Sequence, residues 1–114
     1  MPRSATTADV FNAVGEPRRR QIISLLAQGE RSVNDVADSL RLNQPQTSKH
    51  LKVLKEVGVV RMRGSGQQRL YSLNGTALKP IHDWVMTFAQ FWRESYDRLD
   101  EYLQELQAHE TKHD

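Results

Sequence analysis

Residues 43–58 read NQPQTSKHLKVLKEVG. The first half is polar and carries a proline, while the second places Leu51, Leu54 and Val57 at helical spacing. One helix covers the stretch only if Pro45 stands in the first turn, where its missing N–H has no helical acceptor to lose. Asn43 is suited to cap that turn, with Gln46 at N3 as its reciprocal partner. Gly58 then ends the helix. The result is a helix whose opening turns bury almost nothing.

The flanks give it a setting. Ser32 and Asp35 form a second cap of the same kind, opening a helix whose Val33, Val36, Ala37 and Leu40 face inward. Arg41 and Leu42 make a short turn between the two helices. Further upstream, Pro17 opens a helix running to about Gln28, with Ile22, Ile23, Leu25 and Leu26 on its apolar face and Gly29 as its stop. Thr7 to Val14 reads as a short helix ended by Gly15, and the chain up to Thr6 is expected to fray. Downstream, VVRMR (59–63) and QRLYSL (68–73) read as strands with GSGQ as the tip between them. From Ala77 a single long helix is expected to about His109.

The predicted fold is mainly α with a small β-hairpin: four helices, two strands, then a fifth, long helix. Two helices joined by a tight turn, the second polar at its start, make a helix-turn-helix, and the hairpin after it is a wing. The expected organisation is a winged helix-turn-helix DNA-binding domain over residues 8–75. A dimerisation helix over 76–110 belongs to the same domain unit.

Charge points the same way. Residues 1–75 hold 12 Lys and Arg against 6 Asp and Glu, while residues 76–114 hold 4 against 8. Between positions 41 and 69 seven cations face one anion, Glu56. Such a basic segment suits a polyanionic partner. At 100° per residue, Thr47, Leu51 and Leu54 share one side of the 43–58 helix, and Pro45, Lys49, Lys52 and Glu56 lie roughly opposite. Gln46 and Ser48 flank that outer face, Gln44 stands at its start and His50 at the core boundary. Gln, Ser and Lys suit base edges and phosphates in the major groove, so Gln44, Gln46, Thr47, Ser48, Lys49, His50 and Lys52 are candidate DNA contacts. Arg61, Arg63, Arg69, Gln67 and Gln68 on the hairpin are candidates for gripping phosphate or entering the minor groove. Arg18, Arg19 and Arg20 stand at the unfavourable, N-terminal end of their helix. Phosphate is one compensation; internal pairing with Glu16, Asp35 or Asp38 is preferred for at least one of them.

The last segment poses a separate problem. Ile81, Val85, Phe88, Trp92, Tyr96, Leu99, Leu103 and Leu106 form one stripe, widened by Trp84, Phe91 and Tyr102. As one helix it would be roughly 45 Å long, too long for a domain of this size to cover. No turn is expected between Pro80 and Thr111. The simplest partner is a second copy about a two-fold axis, assisted by Val10, Phe11 and Val14.

Other classes fit poorly. The 114 residues suit one domain, and their 38% apolar content suits a globular protein. No apolar run is long enough to span a membrane, and the N-terminus lacks the apolar core of a signal peptide. Zero cysteines exclude disulfides and thiolate sites and fit a cytoplasmic protein. No HExxH, P-loop or GxSxG motif is present, so an enzyme is not expected. The stronger rival is a winged-helix module that binds protein or RNA, which would carry apolar residues near positions 45–52; only Pro45 is apolar on the exposed side.

These residues resemble a family. NQPQTSKHLKVLKEVGVV is similar to the (S/N)QPxxSxHLxxLxxxGLV signature of ArsR-type winged helix-turn-helix repressors. GEPRRRQIISLL resembles that family's DPxRxxIL segment, with Glu16 in place of Asp, and RMRGSGQQRLYSLN resembles its wing. The long aromatic last helix looks like a cysteine-free autorepressor subgroup. The resemblance implies a homodimer, an inverted-repeat operator and, in many members, derepression by an effector, and it leaves open whether a small-molecule effector acts here. The family's best-known effectors are metals, and here the chain departs from them. The CxC positions of the third-helix metal motif fall on Ser32 and Asn34, and the D-x-H of the other site on Pro80-Ile81-His82, with Arg93 where a second histidine belongs. His109 and His113 stand at i and i+4 on a terminal turn. No metal and no cofactor are expected.

Overall fold

The structure, a computed structural model, describes residues 9–113 and the side chains of residues 9–110. Asp9 caps α1, Val10–Val14, by accepting from the Phe11 N–H at 2.7 Å. The expected start at Thr7 and the fraying up to Thr6 lie outside the described residues. Glu16 caps α2, Pro17–Leu26, with Pro17 at its start. Ser32 caps α3, Val33–Leu40, by accepting from the Asp35 N–H at 3.2 Å. Asn43 caps α4, Gln44–Glu56.

The turn between α3 and α4 rests on Arg41, whose φ of 57° and ψ of 43° are left-handed. Its neighbour's N–H closes the end of α3, Leu42 donating to the Ala37 carbonyl at 2.9 Å, so this helix ends in a glycine-type cap without a glycine. Gly58, at φ 82°, ends α4 as predicted.

The wing is β2, Val60–Ser65, paired antiparallel with β3, Gln68–Leu73. Ser65 lies opposite Gln68, leaving the two-residue turn Gly66-Gln67, and Gly66 takes the positive φ that tight hairpins require. Sequence reading missed one strand. β1, Arg31–Ser32, pairs antiparallel with β3, giving a three-stranded sheet in the order β1-β3-β2. Two residues are too few to show a period, which is why it was not legible.

Ile22 of α2, Val36 of α3 and Leu51 and Leu54 of α4 are fully buried. Val59, Val60 and Tyr71 join them from the wing and its approach. The helix-turn-helix and the sheet thus share one core, and α4 is held by the face opposite its polar opening turns.

The C-terminal segment differs from the single predicted helix. After a 3₁₀ turn at Gly75–Leu78 come α5, Lys79–Met86, and α6, Ala89–His113. The break falls at Thr87 and Phe88. The Trp84 carbonyl accepts both the Thr87 N–H at 3.1 Å and the Thr87 hydroxyl at 2.7 Å, closing a three-residue turn in place of the four-residue helical one. A turn therefore does exist between Pro80 and Thr111. Residues up to 81 form one compact unit and residues from 82 onward a second, the boundary falling within α5. In the second unit Trp84, Phe91, Tyr96 and Tyr102 are each more than half exposed, and Trp84 meets Phe88 edge to face at 5.4 Å. Among the described residues no helix is long and apolar enough to cross a membrane.

Candidate nucleic-acid interface

Helix α4 presents different chemistry on each of its exposed sides. Gln44, Ser48, Lys52 and Lys55 line one wall of an open cleft of roughly 540 Å³. The opposite wall is the wing, through Gln67, Gln68 and Arg69, and the start of α3 lines the cleft with Ser32, Val33 and Asn34. Strand pairing explains the position of Arg69. It shares a face with Tyr71, which lies opposite Met62, and its own cross-strand partner is Gly64, which has no side chain to cover it. The cleft therefore gathers three cations, Lys52, Lys55 and Arg69, among uncharged donors and acceptors.

Six of the predicted contacts meet in this cleft: Gln44, Ser48, Lys52, Gln67, Gln68 and Arg69. Lys49 is exposed but lies off the cleft lining. Thr47 corrects the prediction. It is fully buried, its hydroxyl donating to the Asn43 carbonyl at 2.9 Å, so the side chain belongs to the core and the cap. His50 is half-buried, with Nδ1 3.5 Å from the Arg19 guanidinium.

On the wing, Arg61 and Arg63 alternate onto the face away from Arg69. Arg63 makes a two-pronged ion pair with Glu30, at 2.8 and 2.9 Å. The hydrogen bond from Arg63 holds the Glu30 carboxyl below its usual range, and the same bond raises the arginine. This ion pair braces the entrance of β1 across to β2, so the charge of Arg63 is compensated within the fold. Arg61 is exposed.

Arg19 and Arg20 of the three arginines opening α2 reach carbonyls at the end of α1, and Arg19 also acts on the Glu16 carboxyl as expected. Arg19 Nε donates to the Ala13 carbonyl at 2.6 Å, and Arg20 donates to that of Val14 at 2.8 Å. These are carbonyls that the end of α1 leaves without helical partners. Arg18 reaches the Gln21 side chain at 3.2 Å. Partial burial raises the Glu16 pKa, but the N–H bonds from Arg18 and Arg19, with His50 and Arg19 nearby, outweigh it and leave the carboxyl below the usual range.

Lys55, Ser32 and Asn34 line the cleft without having been predicted. Lys55 was within reach of the sequence: it stands eleven residues after Gln44, about three helical turns, and so on the same edge. Placing Asn34 required the tertiary fold. Among the described residues no group of three or more His, Cys, Asp or Glu side chains could hold a metal. The His109–His113 pair, at which no metal is expected, includes a side chain outside the described residues.

Two packed helices, the second polar and N-capped, beside a cationic hairpin define a winged helix-turn-helix protein. The arsR-family model of bacterial regulatory proteins matches residues 16–62. The transcriptional repressor SdpR of Bacillus subtilis is 36% identical over 80 residues, covering 70% of this chain and 89% of that one. Two solved structures agree. One, described as a possible transcriptional regulator for arsenical resistance, is 35% identical with a TM-score of 0.63, over 80% of this chain and 92% of that one. The other is the homodimeric winged helix-turn-helix DNA-binding domain of a possible ArsR-family regulator from Mycobacterium bovis. It is 33% identical with a TM-score of 0.60, over 79% of this chain and 87% of that one. The chain belongs to the ArsR family of transcriptional regulators.

Proposed function

We propose that the chain is a cytoplasmic, non-catalytic repressor that binds an inverted-repeat DNA operator as a homodimer. The observation that carries this reading is the α4–wing cleft, which Lys52, Lys55 and Arg69 line together with the polar Gln44 and Ser48. Cations on both walls suit a phosphate strand, while the amide and hydroxyl suit base edges. Neutralising phosphates releases counterions, so affinity falls steeply with salt. The similarity to a B. subtilis repressor and to a homodimeric DNA-binding domain supports the repressor and dimer parts.

The dimer interface in this reading is the aromatic stripe of the C-terminal unit, Trp84, Val85, Phe88, Trp92, Tyr96, Leu99 and Leu103, with Ile81 and with Val10, Phe11 and Val14 of α1. Phe11 is 42% exposed and Leu99 52%, which leaves apolar area for a second copy. Residues 8–75 then serve as the DNA-binding part and residues 76–110 as the dimerisation part. Selection of bound fragments from random duplex DNA tests the proposal. A two-fold-symmetric motif is expected, and enrichment of no motif would overturn it.

A further inference from the structure

Gln46 is held in a way that limits what it can read. Its backbone N–H donates to Asn43 Oδ1 at 2.8 Å, and the Asn43 N–H donates back to Gln46 Oε1 at 3.3 Å. Because the second donor is a backbone N–H, the amide atom facing it must be the carbonyl oxygen. The capping box therefore engages Oε1 and leaves Nε2 outside the cap, on a residue exposed in the first turn of α4.

We infer that Gln46 is a specificity-determining residue that recognises only hydrogen-bond acceptors, through Nε2. This rests on the DNA-binding reading above and sharpens it. The usual glutamine contact with adenine is bidentate: Oε1 accepts from N6 while Nε2 donates to N7. In this chain the Asn43 N–H already takes one lone pair of Oε1, and swinging the amide so that both its atoms face adenine draws Oε1 away from that donor at the helix start. A donor-only Gln46 suits guanine N7 or O6 and thymine O4, and gains nothing from the amino groups of adenine or cytosine. The neighbouring glutamine has no such restriction. Gln44 lies in the cleft and takes no part in the cap.

Base analogues in the selected operator test the inference. The base pair read by Gln46 is the one whose preference collapses when selection is repeated with Gln46→Ala. At that pair, deleting the major-groove acceptor, with a 7-deazapurine or with 5-methylpyrimidin-2-one for thymine, is expected to weaken the wild type by roughly three- to tenfold and Gln46→Ala not at all. Deleting the amino group, with purine for adenine or pyrimidin-2-one for cytosine, is expected to affect both proteins equally. A selective loss for the wild type on amino deletion shows that Oε1 reads the base and overturns the inference. Failure of Gln46→Ala to change any position overturns it too, while leaving the DNA-binding reading intact. A wild type that selects no motif removes both.

Discussion

Two residues of the helix-turn-helix do work that their chemical type conceals. Thr47 looks like a polar reader on a list of side chains, yet its hydroxyl closes the first turn of α4 and the residue is fully buried. Thr47→Val keeps the shape and loses the bond. It should cost about 1 kcal/mol in urea unfolding and leave the operator preference unchanged. Arg41 occupies a left-handed position that glycine accepts without strain. Arg41→Gly should stabilise the fold by about 0.5–1 kcal/mol, the relief of the left-handed strain less the larger unfolded-state entropy of glycine. An unchanged or lower urea midpoint would show that the arginine side chain offsets that strain.

At the scale of elements, the helix-turn-helix and the hairpin were legible because each is marked locally. Asn43 and Gln46 announce α4, Ser32 announces α3, and the alternation from Val60 to Arg63 announces the wing. What escaped is what depends on distant partners. β1 exists only because β3 is there to pair with it, and the Glu30 that braces Arg63 stands 33 residues away in sequence. The break at Thr87 escaped for a different reason. The apolar spacing of Ile81, Val85, Phe88 and Trp92 runs on through it unaltered, so periodicity is blind to it. The two wing arginines should now behave differently. Arg69→Ala should shallow the salt dependence of operator binding by about one unit of log–log slope, and Arg63→Ala should not. The brace also has a pH signature. Glu30 has a depressed folded pKa, so its stabilisation is fully present above the ordinary glutamate value of about 4.3 and fades as pH falls through the lower folded value. Glu30→Gln should therefore unfold more easily than the wild type at pH 7, and the two should converge as pH falls below the lowered folded value.

For the whole molecule, the proposed division gives DNA to residues 8–75 and self-association to the exposed aromatic stripe from residue 76 onward, with help from α1. Trp92→Glu or Leu99→Glu should sediment as a monomer, because each places a charge in the apolar stripe. A dimer that persists in both would remove the stripe from the interface. The central claim concerns the cleft between α4 and the wing, and Lys52 lines it from the α4 side. Its most direct test is the salt dependence of operator affinity for Lys52→Glu beside the wild type. A loss of at least about tenfold at moderate salt and a shallower slope are expected, since a phosphate contact is replaced by repulsion. Wild-type affinity with an unchanged slope would contradict it.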